Sequence, residues 1–345
     1  MKRKKILALT VAASMAAASL TGCSFKSDTP LIGKIVGLKS DEIFKVDELI
    51  CSKPEYMLVL MNTANQYKSD FGGTVDWSSK VNDKTTLQSY IMKKVKEDIS
   101  VKYALAAMAA GKNITLTDEE KENITKAAAE YFGLLSDEEK KYTGADTSDV
   151  EKVYTNYFLA DKVYSNLTEN AGVKISDEEA RVIKIQYIRM SAENNKQNKI
   201  KTTLEGVIDL VNGGYQEFSR EAKQYSEDNT IEKTIKKNEA TAGYEQEAFN
   251  LNSKEMSSII QDGNNYYLVY CVESYMKDDT AKNKQKIIKA AKDEYFNKQY
   301  NYFLDDVKTD FNTDAAEDIK LSESSNVKNI SLMETYNSIG QEKKE

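Results

Sequence analysis

The spacing of apolar residues changes in the middle of the chain, and this change constrains the fold more than any other feature of the sequence. Within residues 83–110 apolar side chains recur at every fourth position: Leu87, Ile91, Val95 and Ile99. That spacing predicts an amphipathic helix. Residues 181–190 alternate and are rich in β-branched side chains, and residues 266–272 are almost entirely apolar and aromatic, so both are predicted strands. Residues 282–311 return to a helical pattern, and only two prolines and fifteen glycines in 345 residues favour long helices.

The pattern predicts an α+β protein of about two domains. Helices are expected before residue 175, a small α+β unit at residues 181–275, and a long helix after it. Residues 312–345 are polar and are predicted to be a loosely ordered tail.

A serine or threonine followed three residues later by glutamate occurs three times, each time as hydroxyl-Asp-Glu-Glu. The sites are Thr117–Glu120, Ser136–Glu139 and Ser176–Glu179. In such a capping box the hydroxyl accepts a backbone N–H of the first helical turn, and the glutamate accepts the N–H of the cap residue. The acidic residues also stabilise the positive end of the helix dipole. We therefore interpret these acidic clusters as helix starts and not as metal ligands.

The N-terminal residues predict export and lipid anchoring. Basic residues at positions 2–5 precede an apolar stretch that ends in Leu20-Thr21-Gly22-Cys23 and is too short for a comfortable membrane span. This ending is similar to the lipobox of bacterial lipoproteins, in which the cysteine receives a diacylglycerol and becomes the new N-terminus. We expect residues 1–22 to be a signal peptide, Cys23 to be lipidated, and residues 23–34 to be a tether on the extracytoplasmic face of the cell membrane. The alternative is an ordinary signal peptide followed by a chance cysteine.

Charge and compartment argue against nucleic acid as a partner. The full chain has a net charge of −7, and loss of the four positive charges of the signal peptide leaves −11. Only four residues are arginine, so bidentate phosphate contacts are scarce. The other cysteines are Cys51 and Cys271, and the sequence leaves open whether they pair; it indicates no disulfide framework.

The chain contains no histidine, which excludes several classes of site. Histidine-based catalytic triads and histidine-ligated metal centres are ruled out, and neither a Gly-x-Ser-x-Gly motif nor a Cys-His pair occurs. We expect no metal and no cofactor. A solute receptor would alternate strands and helices over its whole length, whereas the predicted strands here, apart from a short N-terminal piece, are confined to 181–275. A ligand-binding lipoprotein is therefore the weaker alternative.

Four stretches of the middle region resemble one domain family, in the same order. They are Ser176–Ile185, Phe218–Asp228, Glu247–Ser257 and Tyr266–Val272. With the lipobox cysteine, the helical N-terminal region and the returning helix, the chain resembles the PrsA/SurA group of extracytoplasmic foldases, and the insert resembles a parvulin-type (PpiC-like) peptidyl-prolyl isomerase. The resemblance implies a SurA-like helical chaperone domain of residues 35–175, completed by a helix at 280–311, with a parvulin-like domain of residues 176–277 inserted. It also implies unfolded or newly secreted polypeptides as partners. It leaves open whether the protein forms a homodimer.

The family's catalytic residues are not retained in this chain. The positions that the resemblance assigns to the family's pocket are Gln186, Tyr187, Ile231, Ala240, Tyr244, Phe249 and Tyr267. The two family histidines fall on the first or second of these positions and on the last. Carried back without gaps from Phe249, the alignment places the family's aspartate, methionine and phenylalanine on Ile231, Ala240 and Tyr244. The resemblance therefore implies a degenerate pocket in which only an aromatic wall survives.

Two interpretations of the middle domain follow. Rotation about a peptide bond has a barrier of about 18–20 kcal/mol, and an isomerase must stabilise the twisted amide. Either tyrosine hydroxyls replace the imidazoles and isomerase activity persists, or the domain is a parvulin-like shell that binds extended polypeptide with weak or no catalysis. We favour the second interpretation, a membrane-anchored foldase that assists the folding of secreted proteins, and we assign no catalytic residue.

Overall fold

The computed structural model of the chain describes residues 38–71, 75–193, 196–321 and 331–339. The predicted signal peptide, Cys23 and the tether lie outside these residues. The described chain is α+β, as predicted, and forms two compact units. One is a helical unit of residues up to 171 and from 295 onward, and the other is an α+β unit of residues 172–294. None of the helices of the described chain is long and apolar enough to cross a membrane.

The helices of the described residues are α1 (Lys53–Asp70), α2 (Leu87–Gly111), α3 (Asp118–Leu134), α4 (Asp137–Thr143), α5 (Thr147–Glu169), α6 (Gln197–Asn212), α7 (Phe218–Tyr225), α8 (Gly243–Ala248), α9 (Lys277–Asp306), α10 (Thr313–Glu317) and α11 (Leu332–Ser338). The strands are β1 (Glu42–Val46), β2 (Leu49–Ser52), β3 (Lys80–Asn82), β4 (Thr85–Thr86), β5 (Val182–Ser191), β6 (Glu232–Lys236), β7 (Ile260–Asp262), β8 (Asn265–Glu273) and β9 (Thr309–Phe311). The helical unit contains sheets of order β2-β1-β9 and β3-β4, and the α+β unit contains a sheet of order β6-β5-β8-β7.

The helical unit is built on α2 and α5, which pack along each other. The helix predicted within 83–110 is observed as α2, and Ile91, Val95 and Ile99 are at most 2 % exposed. Their spacing of four residues places them on one face of the helix, which is the face that the core covers. Strand β9 pairs antiparallel with β1, so the C-terminal part of the chain returns to the sheet that the N-terminal part begins.

All three predicted capping boxes form their reciprocal hydrogen bonds, but only two of them begin a helix. Thr117 starts α3 and Ser136 starts α4, each with both bonds. Ser176 accepts from the backbone of Glu179 at 3.1 Å, and its own N–H donates to the Glu179 carboxylate at 2.7 Å, yet only a single turn follows. The turn stops because the β-branched segment that begins at Val182 pairs as strand β5.

The four-stranded antiparallel sheet of the α+β unit is covered on both faces. Its central strands, β5 and β8, correspond to the two strands predicted from the sequence. Ile188 lies opposite Leu268 across this pair and packs against α6 and α7. Because successive side chains of a strand point to opposite faces, Tyr187 and Tyr267 lie on the other face, which α8 covers.

The helix predicted at 280–311 is observed with different ends. It begins at Lys277 and ends at Asp306, and the following residues form β9. Backbone pairing with β1 satisfies polar groups of this segment that would otherwise need a continued helix. The first turns of α9 belong to the α+β unit, where the Thr280 hydroxyl accepts from the backbone N–H of Val182 at 3.0 Å. Further along α9, Phe296 is buried in the core of the helical unit.

The prediction of a loosely ordered polar tail at 312–345 is wrong for the part of this region that the structure describes. Helices α10 and α11 form there, and Ile319, Leu321, Leu332 and Tyr336 are buried. Apolar residues are few, but those of α11 share one face of the helix, which overall composition does not reveal.

The two cysteines of the described chain are not joined. Cys51 lies in the helical unit and Cys271 in the α+β unit, and both are buried free thiols. Burial raises the pKa of each thiol, so both are protonated and unreactive at neutral pH.

Candidate functional site

Three tyrosines meet on one face of the central strand pair of the α+β unit. Tyr187 lies on β5, Tyr267 on β8 and Tyr244 on α8. The ring of Tyr244 stacks on that of Tyr267 with centroids 4.1 Å apart and planes 8° from parallel, and its centroid lies 5.6 Å from that of Tyr187. Each residue is at most 9 % exposed. These three residues are termed the tyrosine cluster.

Other predicted pocket residues pack around the tyrosine cluster. Ala240 and Phe249 contact the same apolar core. The guanidinium of Arg181 lies 5.3 Å from the centre of the Phe249 ring and donates a hydrogen bond to the Phe249 carbonyl. The structure therefore groups these candidates on one face of the sheet: Tyr187, Ala240, Tyr244, Phe249 and Tyr267.

The two remaining candidates lie elsewhere. Gln186 precedes Tyr187 on β5, so its side chain points to the opposite face, where its amide donates to Glu232 at 3.3 Å. Ile231 accepts from the backbone N–H of Tyr187 at 2.9 Å, but its side chain packs on the side of α6 and α7. Of the two positions considered for the first histidine, Tyr187 therefore belongs to the tyrosine cluster, and Gln186 lies on the opposite face of the sheet.

An aspartate and an arginine that sequence reasoning missed adjoin the tyrosine cluster. Arg189 Nε donates to Asp228 Oδ1 at 2.6 Å, and the negative charge of Asp228 acts on the Tyr187 hydroxyl. Arg189 also donates to the side chain of Asn265 at 3.1 Å. Burial and the negative charge of Asp228 raise the pKa of Tyr187 to about 12. This phenol is therefore neutral at physiological pH.

A second polar group lies beside Tyr244. Lys233 on β6 forms an ion pair with Glu245 and donates to the Tyr244 hydroxyl at 3.4 Å. Glu245 also accepts the backbone N–H of Thr241 at 3.2 Å. Burial alone would raise the pKa of Glu245, but the bonds from Lys233 and the backbone outweigh it and lower that pKa. The polar groups next to the rings are thus engaged with one another.

The sequence was sufficient to predict that Arg189 lies beside Tyr187, but it was only partly sufficient to predict that Asp228 does. Arg189 has the same parity as Tyr187 in a predicted strand, so alternation puts both on one face. Asp228 ends one of the four stretches that carry the family resemblance, but counting without gaps placed the family's aspartate at Ile231. The path of the loop between α7 and β6 decides which residue reaches β5, and residue spacing does not contain that path.

The side chains of the tyrosine cluster contact one another and bury their own rings. The stacked rings of Tyr244 and Tyr267 cover the strand face beside Tyr187. The charge next to the Tyr187 hydroxyl is the negative charge of Asp228. Within the described residues, no three His, Cys, Asp or Glu side chains are grouped so that they could hold a metal ion.

Comparisons with known proteins give matches among solved structures. No family model matches the chain, and no curated protein matches it. PrsA from Bacillus subtilis is 17 % identical, with 76 % of this chain and 90 % of that chain covered and a TM-score of 0.24. The foldase protein PrsA from Streptococcus pneumoniae is 14 % identical, with 88 % and 100 % covered and a TM-score of 0.30. A structure from Campylobacter jejuni described as a SurA-like chaperone is 10 % identical, with 78 % and 98 % covered and a TM-score of 0.26. The chain is thus similar to PrsA foldases and SurA-like chaperones, and the function proposed for it rests on its own residues.

Proposed function

We propose that the protein is a membrane-anchored extracytoplasmic chaperone for secreted polypeptides, and that its α+β unit has weak or no prolyl isomerase activity. One observation supports the second part of the proposal: the rings of the tyrosine cluster stack on one another and cover the face that the resemblance to parvulins assigns to the prolyl substrate. The basic N-terminus, the apolar stretch and Cys23 support the location.

The cost of opening the tyrosine cluster argues against efficient turnover. A prolyl ring could reach the strand pair only if Tyr244 moved out, and burial of an aromatic side chain contributes about 2 to 3 kcal/mol. That free energy would be subtracted from substrate binding. Stabilisation of the twisted amide also needs a free donor, and each tenfold gain in rate requires about 1.4 kcal/mol of transition-state stabilisation. The Tyr187 side chain is buried against Tyr244, and its hydroxyl adjoins the negative charge of Asp228.

Apolar side chains on the surface of the helical unit support the chaperone part of the proposal. The large apolar residues exposed there are Ile50, Phe71, Val81, Leu134 and Tyr302. Individually exposed apolar residues are ordinary for a folded protein. For a protein that holds unfolded chains they provide the weak, non-specific contacts that such binding needs. The mature charge of −11 would keep a protein with such a surface dispersed.

Aggregation and isomerisation assays on one preparation of residues 24–345 test this function. We expect the protein to slow aggregation of a denatured client at near-stoichiometric ratio and to leave prolyl isomerisation near the uncatalysed rate, with a histidine-containing parvulin as positive control. Isomerisation as fast as that control would contradict weak activity and favour an active isomerase. No effect on aggregation, with a rise in Tm when a small ligand is added, would favour a ligand-binding lipoprotein.

The anchor is tested separately. Cys23→Ser removes the thiol that would take the diacylglycerol, so the variant should neither incorporate labelled palmitate nor stay with the membrane as a processed protein. The wild type should do both. A processed variant that stays with the membrane as fully as the wild type would argue against the anchor.

A further inference from the structure

The C-terminal helix α11 lies in a groove of the helical unit, between α3 and α5. The buried apolar residues of α11 and of the position after it are Leu332, Tyr336 and Ile339. They stand at positions i, i+4 and i+7, the spacing with which an amphipathic helix enters a groove of another protein. This surface is termed the α3–α5 groove.

Two kinds of polar contact hold α11 in the α3–α5 groove. Asn62 Oδ1 accepts from the backbone N–H of Leu332 at 2.8 Å, and the Tyr154 hydroxyl donates to the Leu332 carbonyl at 2.8 Å. These two bonds involve only the backbone of α11, so they would serve any segment that enters at this point. Asp161 accepts from the Tyr336 hydroxyl at 2.6 Å, which selects an aromatic residue with a donor at its tip.

The floor of the α3–α5 groove is aromatic. The ring centroids of Tyr154 and Tyr157 lie 5.6 and 6.2 Å from that of Tyr336. The ring centroid of Phe158 lies 6.4 Å from that of Tyr336. Ring contacts of this kind need an aromatic residue at this position but not the particular sequence of α11.

The α3–α5 groove is also longer than its present occupant. Beyond Tyr336 it continues along α5 as an open cavity of about 430 Å³, with Phe158, Lys162, Ser165 and Glu169 in its wall. A segment longer than α11 would therefore find further surface to contact.

We propose that the α3–α5 groove binds amphipathic helical segments of client polypeptides, and that α11 is a resident ligand that a client displaces. The inference rests on the proposed chaperone function and deepens it. The favoured client segment carries a large aliphatic residue, a tyrosine four positions later and an aliphatic residue three positions after that. Because α11 occupies the groove in cis, the apparent affinity for clients is reduced by the fraction of molecules in which the groove is free.

A peptide of residues 331–339 with a fluorescent label tests the groove directly. It is titrated into mature protein that ends after Leu321 and into the complete mature chain. The shortened protein should bind it about tenfold more tightly or better, because its groove is free. A control peptide with Tyr336→Ala should bind at least about tenfold more weakly, since it lacks the buried ring and the bond to Asp161. Equal affinity of both proteins, or equal binding of both peptides to a folded shortened protein, would overturn the proposal.

Hydrogen exchange on the complete mature chain decides the matter if the shortened protein does not fold. Excess mass-labelled peptide 331–339 should displace α11 in the intact protein and speed exchange of its backbone amides, while the amides of α6 in the other unit serve as the control. Unchanged exchange at millimolar peptide would reject the proposal.

The experiments can reject the proposal about the α3–α5 groove and the proposed chaperone function separately. Suppression of aggregation without peptide binding and without faster exchange of α11 would reject the groove and leave the proposed function. Peptide binding without any suppression of aggregation would reject the proposed function.

Discussion

A carboxylate lies inside the helical unit at a position where the sequence gives no reason to expect a buried charge. Glu55, in the first turn of α1, is 2 % exposed. It accepts a hydrogen bond from the Tyr103 hydroxyl at 2.6 Å, and Lys152 Nζ lies 3.6 Å from its other oxygen. Burial raises the pKa of Glu55 above its ordinary value of 4.5, and these two partners offset only part of that effect. At single-residue scale, the ionised form of Glu55 therefore opposes folding.

Glu55→Gln should stabilise the protein progressively as the pH rises. Because the folded-state pKa of Glu55 lies above the unfolded one, its stabilising contribution is complete below the unfolded pKa and is lost as the pH rises through the folded pKa. Glutamine keeps an oxygen for Tyr103 and does not ionise. Urea unfolding at mildly acidic, neutral and mildly alkaline pH measures the free energy of unfolding of the variant minus that of the wild type. This difference should increase with pH. A difference that decreases with pH would contradict this account.

Tyr336→Phe tests the hydrogen bond to Asp161. The variant keeps the ring in the α3–α5 groove but removes the hydroxyl, and we expect a loss of about 1 kcal/mol in the free energy of unfolding, because the carboxylate is partly exposed and water replaces the bond. Tyr215→Phe is the matched control, since Tyr215 is 77 % exposed and its hydroxyl should contribute little. Urea titrations of both variants measure the difference. Equal effects would show that the Asp161 bond contributes nothing to stability.

At the scale of elements, one four-residue signature has two outcomes. The box at Ser136 starts a helix, and Glu139 of the same box also accepts from Asn65 Nδ2 at 3.2 Å, which ties α4 to α1. The box at Ser176 has the same local bonds, but a strand follows it. Local hydrogen bonding is the same at both sites, and the residues that come next decide whether a helix grows.

Ser136→Ala should therefore destabilise the protein more than Ser176→Ala. Loss of a helix cap costs about 1 kcal/mol. The exposed turn at Ser176 has no helix to lose, so a few tenths of a kcal/mol are expected there. Thermal unfolding of the two variants under one set of conditions measures the difference. A larger loss for the Ser176 variant would refute the distinction between the two boxes.

At the scale of the whole molecule, the helical unit is interrupted in sequence and the α+β unit is continuous. The helical unit takes β9 and the second part of α9 from beyond the insert, and Phe296 and Tyr300 are part of its core. The α+β unit has apolar cores on both faces of its sheet, made of its own residues. The order of synthesis therefore completes the α+β unit before the helical unit can close.

Excision of the insert tests this asymmetry. Residues 172–294 alone should fold and unfold cooperatively in urea, because their two cores are complete. Residues 38–171 alone should lack cooperative unfolding, because they have lost strand β9 and the side chains of α9 that complete their core. Circular dichroism of both fragments measures this. A cooperative transition in residues 38–171 would contradict the prediction.

The sequence by itself determined the local features of this protein. The helix α2, the strands β5 and β8, the capping boxes and the exclusion of histidine chemistry all follow from residues that are near one another in the chain or from residue types that are absent. The tertiary structure decided that the side chain of Asp228 and not that of Ile231 adjoins Tyr187, that β9 follows α9 and pairs with β1, and that Tyr336 contacts Asp161. Each of these contacts joins residues that are separated in the sequence. Their proximity depends on loop paths and packing, which residue spacing does not contain.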